Sequence, residues 1–80
     1  MLTRYIDVAL EHSQYEWLEE SQEFYGEIPE LPGVWATGST MDECRIELRE
    51  VLEEWLAMGL SMNHHIPVLS GVDVNVETVQ

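Results

Sequence analysis

The stretch YGEIPELPGVWATGSTMDEC, residues 25–44, decides the fold of this 80-residue chain. Pro29 and Pro32 cannot donate to the ladder of a central strand, so the strand that precedes them must end near Pro29. Pro32-Gly33 suits the two central positions of a type II turn, because the second of these positions requires a positive φ. The sequence therefore predicts a tight return of the chain into a short strand at residues 34–37.

A long amphipathic helix is predicted directly after this strand. Thr40 and Glu43 match a capping box, in which the hydroxyl and the carboxylate satisfy backbone donors at the helix start. Apolar side chains then recur at three- and four-residue steps, while acids fall mainly off that stripe. The stripe consists of Met41, Cys44, Leu48, Val51, Leu52, Trp55 and Met58. We expect it to pack on the sheet with Trp35 beneath it, and we expect Gly59 to end the helix.

Upstream of the turn, two runs rich in aromatic residues predict a β-hairpin. Residues 15–19 and 24–28 flank a polar tetrad at residues 20–23. Alternation along a strand places Phe24 and Tyr25 on opposite faces of the sheet. We therefore expect one of these rings in the core and the other exposed.

The N-terminal residues 2–13 fit two interpretations. Their positions at helical spacing are Leu2, Tyr5, Ile6 and Ala9. Their positions that alternate as in a half-buried strand are Ile6, Val8 and Leu10. The helix is the favoured interpretation.

The C-terminal residues predict one more strand after the break at Ile66-Pro67. Val72, Val74 and Val76 alternate there with polar residues. The predicted fold class is thus α+β, with a small antiparallel sheet of three to four strands, one long helix packed on one face and an extra N-terminal helix. The predicted order is α-β-β-β-α-β, and residues 1–80 form one domain.

Composition excludes several classes of function. The formal net charge is -13, with sixteen acids, three arginines and no lysine. Because phosphate backbones are bound by clustered Lys and Arg, we expect no direct binding of nucleic acid. The natural partner of such a surface is a basic protein. A single cysteine and the lack of an apolar leader predict a soluble, cytoplasmic protein without an internal disulfide.

No catalytic, cofactor or metal site is predicted. The carboxylates that could serve a two-metal nuclease are Glu16, Glu27, Glu30 and Asp42, but their spacing matches no ligand pattern. His64-His65 has no partner at the spacing of a metal site. Cys44 lies on the apolar stripe without a base beside it, which favours a small core residue over a nucleophile.

The best candidate for a partner surface lies between Gln14 and Leu31. This stretch holds six acids and no base. An exposed tyrosine among acids suits a basic groove, since aromatic residues dominate binding energy and surrounding charges steer association. The partner-binding residues predicted here are Glu16, Tyr25, Glu27 and Glu30. The alternative is that this stretch is only a solvated sheet face.

The stretch YGEIPELPGVWATGSTMDECRIELREVLEEWL resembles the core signature of HicB-type antitoxins. The shared features are an extended strand, a P-E-L-P-G turn, an aromatic residue and a Gly-Ser/Thr start to an acidic amphipathic helix. The resemblance covers residues 15–69 and implies a partial ribonuclease H-like fold. It also implies a partner, a small basic mRNA-cleaving toxin of the HicA type, whose active-site histidine the antitoxin blocks.

Many members of that family carry a C-terminal DNA-binding segment, and this sequence differs from them there. After Leu69 it continues only with SGVDVNVETVQ, which is too short and too acidic for such a module. We therefore expect no operator binding by this chain alone. The leading hypothesis is a homo-oligomeric antitoxin-like protein, dimer or tetramer, with no enzymatic activity. The alternatives are a minimal ribonuclease H-like nuclease and an oligomeric adaptor without a toxin partner.

Overall fold

The computed structural model describes residues 2–62, 64–69 and 71. Its elements are α1 (Leu2–Glu11), β1 (Gln14–Leu18), β2 (Glu23–Glu27), β3 (Trp35–Gly38) and α2 (Met41–Ser61). The strands form one antiparallel sheet in the order β1-β2-β3. The α+β class and the order α-β-β-β-α are thus confirmed, including the N-terminal helix. The final strand predicted at Val72, Val74 and Val76 lies outside the described residues.

The turn between β2 and β3 has the predicted geometry. Val34 N–H donates to Leu31 O at 3.0 Å, which closes a four-residue turn around Pro32 and Gly33. Gly33 has a φ of 95°, a conformation that glycine adopts without a steric penalty. The two prolines and this glycine therefore end β2 and return the chain as β3.

The start of α2 is capped by side chains. Thr40 Oγ1 accepts a hydrogen bond from Glu43 N–H at 3.0 Å, as the capping box predicts. Glu43 Oε1 accepts from Ser39 N–H at 3.2 Å and also from the Ser39 hydroxyl, so the reciprocal bond goes to Ser39 and not to Thr40. The Asp42 and Glu43 carboxylates in the first turn also suit the positive end of the helix dipole.

Small residues allow α2 to approach the sheet closely at Cys44. A Cβ added to Gly38 would lie 2.5 Å from Cys44 N, and one added to Gly26 would lie 2.6 Å from the Tyr15 ring. The buried Cys44 thiol donates to Ala36 O at 3.6 Å, and burial raises the pKa of this thiol. Gly26, Ala36 and Gly38 therefore fix the height and position of α2 over β2 and β3.

The buried side of α2 differs from the predicted stripe. Its buried residues are Cys44, Leu48, Leu52, Leu56 and Gly59. The predicted stripe was wrong at both ends, because Met41 and Met58 are exposed, and Val51 and Trp55 are only half-buried. Near its start α2 contacts Gly38 of β3 at Cys44, and near its end Gly59 lies close to Ile66. The buried side between these contacts runs along Leu48, Leu52 and Leu56.

The prediction that α2 ends at Gly59 was also wrong. The helix continues to Ser61 and is capped at Met62. Gly59 is instead a packing position, since a Cβ added there would lie 3.0 Å from Ile66 Cδ1. The chain after α2 thus packs back against its last turns.

Helix α1 completes the core beside α2. Its Tyr5, Ile6 and Ala9 are buried together with Ile28, Leu31 and Val34 from the turn region and with Ile66 and Leu69. Tyr5 OH donates to Pro67 O, which ties α1 to the segment after α2. Within the described part of the chain, neither helix combines the length and apolarity needed to cross a membrane.

Candidate protein-binding face of the sheet

The strand register divides the sheet into a helix-covered face and an open face. Tyr15, Gly26 and Ala36 share one face, and Cys44 of α2 packs on it. Residues of opposite parity point to the other side. We call this side the open face, and it carries Gln14, Glu16, Leu18, Glu23, Tyr25, Glu27, Trp35 and Thr37.

Two stacked aromatic rings occupy the open face. The Tyr25 and Trp35 ring centroids are 5.9 Å apart with an interplanar angle of 28°. Trp35 remains 52% exposed, so the prediction that it packs under the long helix was wrong. Strand alternation explains the difference, because Ala36 takes the helix side at 3% exposure and its neighbour must point away. Trp35 is the candidate binding residue that was missed from the sequence.

Two carboxylates lie next to the aromatic pair. Glu16 of β1 lies directly opposite Tyr25 of β2, and Glu27 of β2 lies directly opposite Trp35 of β3. Tyr25 OH donates to Glu27 Oε1 at 3.2 Å. Burial, the charge and hydrogen bond of Glu27, and the charge of Glu16 all raise the pKa of Tyr25. The structure therefore brings Glu16, Tyr25 and Glu27 together.

The expectation for Phe24 and Tyr25 was correct in orientation but wrong in burial. They lie on opposite faces, but both rings are half-buried. Phe24 contacts Trp17 edge to face, with centroids 4.9 Å apart, on the helix-covered side. Helix α2 packs over β2 and β3 but not over β1. The part of this side where Trp17 of β1 lies beside Phe24 of β2 therefore stays partly open, and Phe24 is not enclosed.

Glu30, the fourth predicted partner-binding residue, lies away from this strand register. It occupies the turn after β2, and its Oε2 is 3.1 Å from His12 Nδ1. The pKa of Glu30 is lowered, first by a hydrogen bond from its own backbone and then by His12. Its observed contact is with the α1–β1 connection.

The carboxylates considered for metal binding are dispersed. Glu16 and Glu27 lie on the open face, whereas Asp42 lies in the first turn of α2 on the opposite side. His64 and His65 are exposed after α2. Among residues 2–62, 64–69 and 71, no three His, Cys, Asp or Glu side chains are placed to hold a metal ion.

The tyrosine provides a spectroscopic test of the open face. In the Glu27→Gln variant we expect the pKa of Tyr25 to fall toward its ordinary value, because a negative charge that disfavours the phenolate is removed. An NMR titration that follows the Tyr25 ring measures this change, with Glu53→Gln on α2 as the control. An unchanged Tyr25 pKa in Glu27→Gln would contradict the described contact.

A match to a family model shows which protein family the chain belongs to. The model described as UPF0150-like matches residues 4–79. The chain belongs to the UPF0150-like family. A relative from Thermotoga maritima, named UPF0150 protein, is 42% identical over 38 residues, which cover 48% of this chain and 51% of that relative. The match to this UPF0150 protein thus spans about half of the relative's length.

A solved structure extends the comparison over most of this UPF0150-like chain. The crystal structure of TTHA0281 from Thermus thermophilus matches with a TM-score of 0.86 and 44% sequence identity. The match covers 91% of this chain and 96% of the other. The two chains therefore share their fold over nearly their whole lengths.

Proposed function

We propose that this UPF0150-like protein is an antitoxin of the HicB type. It binds a small basic mRNA-cleaving toxin of the HicA type and neutralises it by covering the toxin's active site. The observation that supports this proposal best is the open face, where the exposed Trp35 stacks on Tyr25 between Glu16 and Glu27. The chain itself supplies no chemistry to the reaction.

Charge supports a basic partner. The formal net charge is -13, and the face residues include three acids and no base. Such a field accelerates encounter with a positively charged surface and disfavours acidic partners. A nuclease that binds mRNA must itself present basic residues to phosphate, so the acidic face competes for the surface that RNA uses.

The aromatic pair supports direct contact in addition to steering. Tryptophan and tyrosine supply much of the binding energy in protein interfaces when the contacts around them exclude water. A cationic side chain of the partner can also lie over the Trp35 indole. Trp35 is exposed and is held by Tyr25, so it is ready for contact without rearrangement.

Co-expression tests this function. We expect the product of a neighbouring reading frame, of similar length and rich in Lys and Arg, to arrest growth when expressed alone. Expression of this chain restores growth, and the two proteins co-purify. The Met58→Ala variant serves as control and should restore growth as the parent chain does, because Met58 is exposed on α2 away from the open face.

Two results would refute the antitoxin function. One is growth arrest that persists although the chain is present and folded. The other is RNA cleavage by the purified chain with Mg²⁺ that disappears in Glu27→Gln, which would identify a nuclease. We expect no cleavage, since Glu16 and Glu27 lie on the sheet face opposite Asp42.

A further inference from the structure

The outer edge of β3 presents backbone groups for pairing. Ile28 N–H donates to Val34 O at 3.3 Å, which makes this a hydrogen-bonded pair. Bonded and non-bonded pairs alternate along an antiparallel ladder, so the N–H and C=O groups of Trp35 and Thr37 point away from β2. In the three-stranded sheet that the described residues form, β3 is an edge strand. This edge can accept another strand.

A groove between this edge and α2 gives an added strand something to pack against. It has a volume of about 380 Å³ and is lined by Gly33, Trp35, Ala36, Thr37, Glu47 and Val51. Helix α2 packs against β3 and β2 and not against β1. A strand added at β3 would therefore be backed by α2, whereas one added at β1 would not. We call this feature the β3 groove.

The acidic side chains at the β3 groove indicate which kind of segment would occupy it. Glu47 lies in the β3 groove, and Glu50 and Glu54 follow on the exposed side of α2. Among the described residues, no base lines the groove. A second copy paired at this edge would bring two such acidic flanks together. The chain's own residues 72–80 also contain acids and no base. Like charges thus disfavour both of these occupants, and a basic segment is favoured.

We propose that the β3 groove binds an extended basic segment of a partner protein, which adds to β3 as a fourth strand. Backbone bonds to Trp35 and Thr37 give affinity, and alternate side chains give specificity. On the helix side, apolar and cationic side chains meet Val51 and Glu47; on the open face, a cationic side chain meets Trp35. This binding mode rests on the proposed function, since it specifies how the basic partner docks.

Amide hydrogen exchange, measured by NMR on the full-length chain, tests this binding mode. In the free chain we expect Trp35 and Thr37 amides to exchange fast while Ala36, which bonds to β2, is protected. In the complex with the basic protein from the neighbouring reading frame, exchange of both amides slows on the order of 100-fold. A Thr37→Pro variant, which lacks the outward N–H, binds at least about tenfold more weakly, and Thr37→Val keeps its affinity.

The alternative results are distinguishable. Protection of both amides in the free chain would overturn the proposal. If this protection does not depend on protein concentration, the chain's own C-terminal residues occupy the edge. If it rises with concentration, a second copy of the chain occupies the edge. A complex without protection overturns the proposal and leaves the antitoxin function standing.

If no complex forms, the antitoxin function fails. The synthetic peptide Val-Arg-Val-Arg-Val then tests whether the β3 groove binds a basic strand. Protection by this peptide and not by Val-Glu-Val-Glu-Val supports the proposal, and protection by neither overturns it.

Discussion

Replacement of Leu52 by alanine is expected to lower the free energy of unfolding by about 2–5 kcal/mol. Leu52 has no exposed surface and lies at the centre of the buried side of α2. The substitution removes buried methyl groups and leaves a cavity that the surrounding core fills only partly. Because a domain of this size is only marginally stable, a large part of the protein should be unfolded at physiological temperature. Urea denaturation monitored by circular dichroism measures the loss.

Two further variants of α2 serve as references for this prediction. Met58→Ala changes an exposed side chain on the same helix, and we expect a change within about 0.5 kcal/mol. Trp55 is half-buried, so Trp55→Ala should cost less than the about 3–5 kcal/mol of a fully buried tryptophan. A Leu52→Ala protein as stable as Met58→Ala would show that this side of α2 does not face the core.

Replacement of Trp35 by alanine is expected to weaken binding to the basic partner by at least about 2 kcal/mol, or about 30-fold in Kd. The indole is the most exposed aromatic surface of the open face and also borders the β3 groove. Its loss removes contact area and a site for a cationic side chain. We expect most of the effect in faster dissociation, which surface-binding kinetics measure.

Trp17→Ala is the matched control for this variant. Trp17 is also exposed, at 41%, but it lies on the helix-covered side of β1 beside Phe24. Both substitutions remove an indole and one aromatic contact, so both should cost a similar, small amount of stability. Equal losses of affinity in Trp17→Ala and Trp35→Ala would show that binding is not specific to the open face.

Local patterns in the sequence predicted the elements of the fold well. The Pro32-Gly33 turn and the Thr40 cap are set by contacts within a few residues, so residue type determines them directly. The long-range position of α2 could not be predicted in this way. It depends on Gly26 and Gly38, which belong to different strands and meet Cys44 only after the sheet forms.

The candidate site could be predicted only where its residues are placed by local strand pairing. Glu16, Tyr25 and Glu27 come together because cross-strand neighbours follow from the hairpin. Trp35 was expected beneath the long helix, although the strand alternation that buries Ala36 exposes it. Glu30 lies beyond the end of β2, where strand alternation no longer determines the direction of a side chain, and it contacts His12 instead.

The salt dependence of association tests most directly whether the acidic open face recognises a basic partner. The measurement compares the parent with Glu16→Gln/Glu27→Gln in stopped-flow binding to the basic product of the neighbouring reading frame, at low and high salt. We expect the double variant to associate more slowly, and added salt to slow the parent more than the variant, since screening acts over a Debye length of about 8–10 Å. Dissociation should change less. A parent complex without salt dependence and a double variant with unchanged kinetics would contradict this account and place the contact elsewhere on the chain.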